Sequence, residues 1–486
     1  MIGMWLLRSD LSVSVAFLPS RGTSSNYSDM STLSGRIETW TRARDCFVPA
    51  ENTMRTTIRF LSALILLSCQ LLTSALGQDI SLKADGELRW CKGNMHTHSY
   101  WSDGDNFPES IAAWYKDRGY QFLVFTDHNT LHQNEKWIDV DKAKGGRKSL
   151  AALQAAFPAD WIVSRKTDGK EEVRLKTFDE VFAKFAVPQQ YLLIQGEEIT
   201  DKFQKKPIHM CATNTNELIP PTGGDSVVDV MQRNIDAARS RRERSGVQTL
   251  IHLNHPNFGY AITAEQLMQV NGENFFEVYN GHPTVHNSGD ETHASTERMW
   301  DIINTFRLAK LDLPVMYGLG TDDGHNYFEE APGKGAQPGR GWVQVLSKSL
   351  DPDSLVTALE SGQFYSSSGV VLNEIRVLNG KLHVSVAADE GVTYRVDFIG
   401  TRKGFDETSQ PASEDPATAD DLTRKYSDQI GAVLKTVNGV DADYELDGTE
   451  LYVRAVVTSS RVHPNPSEAG EFERAWVQPY VPTIAK

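Results

Sequence analysis

Histidines and carboxylates gather at the same end of five short apolar runs in this sequence. The five groups are Met95-His96-Thr97-His98 with Asp103, Thr126-Asp127-His128, Gly196-Glu197-Glu198, His252-Leu253-Asn254-His255 and Thr321-Asp322-Asp323-Gly324-His325. Imidazole nitrogens and carboxylate oxygens without a thiolate cluster are the donors that zinc, manganese and iron accept in proteins. So many donors exceed the needs of one ion and favour two or three ions that share a carboxylate. The sequence therefore predicts a multinuclear metal centre.

Short apolar runs separated by helical patterns are typical of buried parallel strands in an α/β fold. Apolar spacing and capping residues predict helices over residues 108–118, 225–245, 295–311 and 351–362. In parallel sheets and barrels, functional groups gather at the carboxyl ends of the strands. Alternate residues of a strand also point to one side, so both imidazoles of His96-Thr97-His98 can reach one ion. We therefore expect the five groups to meet at one end of an α/β core.

The chain is expected to divide near residue 370. Residues 78–370 carry the strand–helix alternation, with an insertion at 132–188 that contains a predicted hairpin around Thr167-Asp168-Gly169-Lys170. Residues 371–486 carry strand after strand without helices between them, which predicts a small β-sandwich.

The first residues have the pattern of a targeting segment. Residues 54–77 begin with Met54 and basic residues, continue into an apolar stretch and end in small residues, as a secretory signal peptide does. The apolar stretch is short for a membrane span, so no transmembrane span is expected in the mature protein. We expect Met54 to be the true start, residues 1–53 to be disordered, and the mature protein to be periplasmic or extracellular. Lipid attachment at Cys69 is a less favoured alternative.

Composition restricts the classes of partner. A formal net charge of −15 over 486 residues argues against broad nucleic-acid binding, which needs a basic surface. It does not argue against a small anionic substrate, because bound cations set the local field. Of four cysteines, only Cys91 and Cys211 remain after the predicted cleavage, which is too few for a disulfide framework. A pairing of the two and a buried, reduced state both stay open.

The motifs resemble those of the PHP (polymerase and histidinol phosphatase) family over residues 88–370. The segments that carry the resemblance are Trp90-Cys91-Lys92-Gly93-Asn94-Met95-His96-Thr97-His98, Ser102-Asp103-Gly104, Thr126-Asp127-His128-Asn129, Gly196-Glu197-Glu198-Ile199-Thr200, Asn254-His255-Pro256-Asn257 and Gly320-Thr321-Asp322-Asp323-Gly324-His325. The resemblance implies a distorted seven-stranded β/α barrel with a trinuclear site at its mouth. The ligands that it implies are His96, His98, Asp103, His128, Glu198, His209, His255, Asp323 and His325.

Neighbouring residues compete for some of these positions. The family pattern favours Glu198 over Glu197 as a ligand, and Asp323 over Asp322. Asp103 stands where the family often has a histidine. His252 is expected to be a packed residue or to support a ligand.

Other polar residues are candidates for roles around the ions. Asp127 and Asp322 are predicted to orient metal-bound imidazoles or water. The stretch from Glu277 to His282 suits substrate contact at the mouth, with His282 as the contact, but it equally suits a polar loop. Lys92 and Arg340 are candidates to bind an anionic oxygen, with solvation at the surface as the competing interpretation.

These residues predict a hydrolase of small phosphorylated substrates. A water that bridges two metal ions would attack a phosphate mono- or diester, and no serine or cysteine nucleophile would be needed. An amidohydrolase-like enzyme is an alternative, although such enzymes bridge their ions with a carboxylated lysine where this chain has Glu197-Glu198. A non-catalytic, exported metal-containing binding protein is a third hypothesis.

Overall fold

Strands and helices alternate up to Glu360 in the computed structural model of the protein, which describes residues 79–328, 332–415 and 421–482. The predicted α/β class is confirmed by this alternation. The predicted signal peptide at 54–77 and the preceding residues 1–53 lie outside the described residues. All described residues belong to one compact unit.

The strands up to residue 367 include the first strand, which pairs with a C-terminal strand, and the strands of the α/β part and its insertion. They are β1 (Ile80–Lys83), β2 (Arg89–Asn94), β3 (Phe122–Phe125), β4 (Trp137–Asp139), β5 (Ser164–Thr167), β6 (Lys170–Arg174), β7 (Leu192–Phe203), β8 (Lys206–Thr213), β9 (Leu250–Leu253), β10 (Phe275–Asn280), β11 (Tyr317–Thr321), β12 (Trp342–Ser347) and β13 (Phe364–Ser367). The remaining strands are β14 (Leu372–Leu378), β15 (Lys381–Val386), β16 (Tyr394–Arg402), β17 (Ser409–Gln410), β18 (Lys425–Tyr426), β19 (Ala432–Asn438), β20 (Asp441–Glu445), β21 (Glu450–Val462) and β22 (Phe472–Tyr480).

Four of the helices, at residues 108–117, 227–245, 296–306 and 352–360, lie near the residues that the sequence predicts, and the other three are additional. The helices are α1 (Pro108–Asp117), α2 (Gly146–Ala156), α3 (Phe178–Phe185), α4 (Val227–Ser245), α5 (Ala264–Leu267), α6 (Thr296–Phe306), continued by a π-helical turn (Arg307–Leu311), and α7 (Pro352–Glu360). Local chemistry sets these bounds. The Ser226 side chain accepts a hydrogen bond from the Asp229 nitrogen at the start of α4, and Gly246 ends that helix in a left-handed conformation with φ of 71°.

Thirteen strands form one sheet in the order β11-β10-β9-β8-β7-β3-β2-β12-β13-β22-β21-β16-β19. Strands β2, β3 and β7 pair in parallel, and so do β9, β10 and β11. Strand β8 is antiparallel to both of its neighbours, so the expectation of parallel strands throughout is wrong there. The reason is the tight β7–β8 turn at Gln204 and Lys205, where Gln204 has φ of 56°, because a parallel pair would need a long crossover instead.

The edge strand β11 curls back towards β12 and β13, but it forms no backbone ladder with them within the described ranges. Side chains make the link instead. Gln478 donates from Nε2 to the Gly318 oxygen and accepts from the Gly318 nitrogen, both at 2.9 Å. Ser366 Oγ donates to the same oxygen at 2.8 Å. The sheet is barrel-like, and a closed seven-stranded barrel is not confirmed.

The C-terminal strands continue the large sheet, because β22 pairs with β13. A second sheet, with the order β1-β14-β15-β20, packs on this part through buried residues such as Val384, Phe398, Val453 and Ala475. Two facing sheets with inward-pointing apolar residues are sandwich-like, as the sequence predicts. A separate all-β domain is not confirmed, because β13 pairs with β22 and so joins the C-terminal strands to the sheet of the α/β part.

Residues 132–188 form a small three-stranded sheet, β4-β6-β5, together with α2 and α3. The predicted hairpin is present: β5 and β6 pair around Asp168 and Gly169, whose φ values of 52° and 77° suit a tight turn. Lys144 of this insertion donates to the Asp103 carbonyl at 3.1 Å, which places the insertion beside the loop after β2. In the part of the chain that is described, no helix has the length and apolarity needed to cross a bilayer.

Candidate metal centre

The carboxyl ends of the parallel strands bring the predicted ligands together. Two short bridges align the loops that leave these strands, one between Thr97 and Gly324 and one between His128 and Glu198. His209 lies on the antiparallel strand β8, where it is paired with Thr200 of β7. All nine side chains named by the family resemblance lie in one cluster, and each has a donor atom within 3.6 Å of another member.

The carboxylate of Glu198 lies at the middle of the cluster and is fully buried. Its Oε1 atom is 3.1 Å from His209 Nδ1 and 3.5 Å from both His96 Nε2 and His255 Nε2. Its Oε2 atom is 2.6 Å from His128 Nδ1 and 3.5 Å from His98 Nε2. Each oxygen therefore faces a different set of imidazoles, which is the arrangement of a carboxylate that bridges two ions.

Two further carboxylates lie on either side of His98. Asp323 Oδ1 is 3.2 Å from His98 Nε2 and 3.3 Å from His96 Nε2, and it is almost fully buried. Asp103 Oδ1 is 3.3 Å from His325 Nε2 and 3.6 Å from His128 Nε2, and its side chain is 55% exposed. Asp103 thus lies at the solvent-exposed side of the cluster, and Asp323 lies at its buried side.

Hydrogen bonds outside the cluster fix the tautomers of several imidazoles. His96 Nδ1 is 2.7 Å from Glu277 Oε1, an oxygen that can only accept, so His96 donates from Nδ1. The Ser102 hydroxyl donates to Asp127 at 2.6 Å, so it accepts from His98 Nδ1 at 3.3 Å. His325 Nδ1 donates to the Asp323 carbonyl at 2.8 Å. The Nε2 lone pairs of all three rings therefore point into the cluster.

The lone pairs in the cluster need a cation between them. His96 Nε2 and His98 Nε2 lie 3.0 Å apart, and although burial opposes ionisation, the carboxylates of Asp323, Glu277 and Glu198 raise the pKa of His96, so positive charge is favoured between these rings. Glu198 Oε2 makes no well-oriented hydrogen bond despite its contact with His128. Burial, with the neighbouring His325 imidazole, lowers the pKa of His98 to about 4, so this ring is in the neutral form that binds metals.

The donors fall into overlapping groups that could each hold one ion. The groups are His98, Asp103, His128 and His325; His96, His98 and Asp323; His96, Glu198 and His255; and His128, Glu198 and His209. Within each group the ligand atoms lie within 4.8 Å of one another. The donor chemistry, the orientation of the imidazoles and the buried central carboxylate fit divalent transition ions.

Glu197 and Asp322, the neighbours that compete with the proposed ligands, point away from the cluster. Glu197 Oε1 accepts from the Ile219 nitrogen at 2.6 Å, and burial raises the pKa of Glu197 to about 8. Asp322 accepts from the nitrogens of Arg340 and Gly341 at 2.7 and 2.9 Å. It also accepts from the Tyr115 hydroxyl at 2.8 Å. Asp322 thus organises the loop before β12.

The sequence predicts that Asp127 and Asp322 orient metal-bound imidazoles or water. In the structure, both carboxylates accept hydrogen bonds from other groups. Asp127 accepts from the Ser99 nitrogen at 2.8 Å and from the Ser102 hydroxyl. It also lies 2.6 Å from His132 Nε2. Asp127 therefore reaches His98 only through Ser102, while none of the hydrogen bonds of Asp322 goes to an imidazole.

The three predicted substrate contacts have different surroundings. Lys92 Nζ lies over the rings of Trp342 and Tyr120, at 3.8 and 4.0 Å from their centroids, and burial lowers the pKa of Lys92 to about 8. The fully buried Arg340 guanidinium donates to the carbonyls of Gly281, Gly335 and Asn465. Both cations therefore contact protein groups outside the cluster, and the prediction that they bind substrate stays a prediction.

His282 is the predicted substrate contact that lies beside the cluster. Its ring centroid is 5.4 Å from that of His325, and the side chain is half-buried. Burial lowers the pKa of His282 to about 4, so the ring is neutral at neutral pH. The Thr284 nitrogen donates to His282 Nδ1 at 3.2 Å, which leaves the proton of the neutral ring on Nε2.

Glu277 has a role that the sequence interpretation missed. It was grouped with His282 as a substrate contact or a loop residue, but it is fully buried on β10. Besides the contact with His96, it accepts from the His255 nitrogen at 2.8 Å and from the Thr321 hydroxyl at 2.8 Å. Strand alternation is the signal that identifies it, because Glu277 is an inward-facing acid on a strand that borders the ligands.

A search of protein-family models found no match to this chain. A DNA polymerase/3'-5' exonuclease PolX of Bacillus subtilis (strain 168) is 32% identical over 85 residues, which is 17% of this chain and 15% of the relative. A two-domain protein of Bacteroides vulgatus ATCC 8482, described as containing a predicted PHP-like metal-dependent phosphoesterase, matches 83% of this chain and 98% of its own, with 14% identity and a TM-score of 0.36.

Two other solved structures are similar to smaller parts of the chain. A protein of Bifidobacterium adolescentis ATCC 15703, named as a metal-dependent phosphoesterase, covers 55% of this chain and 95% of its own, with 15% identity and a TM-score of 0.27. The chain is similar to PHP-like metal-dependent phosphoesterases. An amidohydrolase of Chromobacterium violaceum with bound sulfate covers 49% of this chain and 89% of its own, with 14% identity and a TM-score of 0.25. TM-scores this low do not establish a shared fold for any of the three.

Proposed function

We propose that this PHP-like chain is a metal-dependent hydrolase that cleaves a phosphate mono- or diester of a small molecule. The observation that carries the proposal is the position of Glu198, whose two oxygens face separate groups of imidazoles. Bound ions of this kind supply Lewis acidity to phosphate oxygens and lower the pKa of bound water. The remaining chemistry is the work of the protein side chains.

Hydrogen bonds around the ligands point three of the donor nitrogens inward. Ser102, Glu277 and the Asp323 carbonyl accept from Nδ1 of His98, His96 and His325, respectively. The Nε2 atoms of these rings therefore need no reorientation when ions bind, which lowers the cost of assembling the centre.

His282 is the side chain best placed to contact the substrate. The proton on Nε2 of its neutral ring can be donated to an anionic oxygen of the ester, and this donor persists over a wide pH range because the pKa is low. Phe258 lies on the same rim, with its ring centroid 5.2 Å from that of His255 and 6.4 Å from that of His282. The rim therefore offers a polar donor and an apolar wall to the organic part of the ester.

The amidohydrolase alternative receives less support from the residues. A carboxylated lysine that bridges the ions is the feature that such an enzyme would need at the end of β7. Glu198 occupies that position, and the neighbouring Glu197 faces away. We therefore place phosphoester hydrolysis first.

Turnover of p-nitrophenyl phosphate and bis(p-nitrophenyl) phosphate by metal-loaded protein tests the proposal. We expect hydrolysis of at least one of them, abolished by chelation and by His98→Ala. The matched control is His383→Ala, because His383 pairs with Asp443 on the C-terminal sheet, and its removal should leave turnover unchanged. Metal retention without hydrolysis of any phosphoester would favour the non-catalytic alternative. Hydrolysis of amides instead would favour the amidohydrolase alternative.

Export is proposed together with this activity. Residues 54–77 are the proposed signal peptide, with cleavage before Gln78. N-terminal sequencing of the protein from a host that secretes it should begin at Gln78. A protein that retains Met54 and stays in the cytoplasm would contradict this proposal.

A further inference from the structure

A second group of metal-binding side chains lies directly beneath the proposed ligands. Cys211 on β8 and His252 on β9 are cross-strand partners, so their side chains project from the same face of the sheet. Cys211 is two residues beyond the proposed ligand His209, which by strand alternation places it on the same side and one layer deeper. We call Cys211, His252 and Glu277, with Nδ1 of His96, the lower cluster.

His252 is the unexplained member of the lower cluster. It is fully buried, and neither of its ring nitrogens makes a well-oriented hydrogen bond among the described residues, although Cys211 and Glu277 lie beside it. The nearest carboxylate oxygen, Glu277 Oε1, is 3.4 Å from His252 Nε2. An unpartnered imidazole in a dry interior destabilises the fold, because it has lost its hydration without gaining a replacement.

The surrounding atoms are those that a metal ion would need. Ligand atoms of Cys211, His252 and His96 lie within 4.8 Å of one another, and all three residues are buried. Glu277 Oε1 lies 3.4 Å from His252 Nε2 and 2.7 Å from His96 Nδ1, so the carboxylate can serve as a donor while it still accepts the His96 proton. A thiolate combined with imidazole is a donor set that zinc accepts readily, and it is absent from the mouth, where the donors are nitrogen and oxygen.

We propose that the lower cluster binds its own transition-metal ion, with zinc as the best match, held by Cys211, His252 and Glu277. The Cys211 thiol gives up its proton as the ion binds. The ion would give His252 its missing partner and tie β8, β9 and β10 together. This site is additional to the one proposed for hydrolysis, which does not need a thiolate ligand.

Cobalt substitution in a full-length chain tests the proposal. In a Cys46→Ser, Cys69→Ser, Cys91→Ser variant, Cys211 is the remaining thiol. We expect titration of this variant with Co²⁺ to produce a near-ultraviolet thiolate-to-cobalt charge-transfer band that saturates at one ion per chain. Visible cobalt bands from the nitrogen and oxygen ligands of the mouth without the thiolate band would overturn the proposal.

Metal counting in single variants gives a second, independent readout. Cys211→Ser should contain one ion fewer per chain than the native protein, whereas Cys91→Ser, which changes another buried cysteine on β2, should keep the full number. Equal counts in both variants would contradict a lower site. If Cys211→Ser does not fold, the cobalt titration still tests the lower site, because the titrated variant retains Cys211. Loss of hydrolysis with the thiolate band intact would count against the proposed function alone.

Discussion

His96 Nδ1 lies 2.7 Å from Glu277 Oε1, and both side chains are fully buried. This pair connects the end of β2 to the middle of β10. Although burial opposes ionisation, the His96 and His252 imidazoles hold the pKa of Glu277 well below its usual range. Glu277 is therefore a charged acceptor that fixes the His96 tautomer and increases the basicity of Nε2.

Glu277→Gln should weaken metal binding at the mouth. A glutamine oxygen can still accept from His96 Nδ1 but carries no charge, so the ring loses basicity and part of its orientation. Losses of this kind typically reduce metal affinity by about 10- to 100-fold. Competition with a chromogenic chelator measures the change, and Glu277→Asp tests whether charge alone suffices. An unchanged affinity in Glu277→Gln would show that the contact does not support the ligand.

Replacing the two adjacent glutamates of β7 in turn separates the bridging acid from its neighbour. Glu198→Gln should abolish binding of at least one ion, because Glu198 contacts imidazoles through both oxygens. Glu197→Gln is the matched control and should keep the native metal content. Glu197 has a pKa raised to about 8 by burial, so it is already uncharged at neutral pH and an amide replaces it closely. Loss of metal in Glu197→Gln but not in Glu198→Gln would show that Glu197, and not Glu198, is the ligand.

The sequence predicts which donor side chains lie together better than it predicts the residues that support them. Their clustering could be predicted because the carboxyl ends of parallel strands meet, and each of these strands is a short apolar run. Strand β8 is antiparallel, and the two-residue turn at Gln204 and Lys205 that makes it so is hard to recognise inside a polar segment.

The roles of Arg340 and Lys92 could not be predicted from the sequence. Arg340 donates to Asn465, which lies 125 positions away, and Lys92 lies over Trp342. Such partners are brought together only by the fold, so an isolated cation in the sequence looks like a surface or substrate contact. The side-chain link from Gln478 to Gly318 was hidden for the same reason.

Arg340→Met should destabilise the protein rather than weaken substrate binding. The substitution leaves the buried Gly281 carbonyl and the half-buried Gly335 carbonyl without their donor, which should lower the free energy of unfolding by about 3 kcal/mol. Thermal unfolding measures this, with Arg395→Met as control, because Arg395 is exposed and pairs with the neighbouring Asp397. A raised KM with unchanged thermal stability would restore Arg340 as a substrate contact.

Glu109 should make stability depend on pH. It is 2% exposed, and burial raises its pKa from 4.5 to about 7. The folded state therefore keeps a proton that the unfolded chain loses, so stability falls as pH rises from about 4.5 to about 7, by about 3 kcal/mol in total. Glu109→Gln removes this loss and should be more stable than the native protein above pH 7, with little difference near pH 4.

Denaturant unfolding at several pH values measures the effect. The exposed Glu390→Gln variant should follow the native curve throughout and serves as the control. A Glu109→Gln variant that is less stable than the native protein at pH 8 would show that the carboxylate has a stabilising partner when ionised.

Anomalous diffraction from crystals of metal-loaded protein tests the central claim most directly. Data collected at the absorption edges of zinc and manganese should show two or three peaks among the nine proposed ligands, with the Glu198 carboxylate between two of them. An ordered cluster with these side chains in place and no peak among them, at saturating metal, would contradict the account.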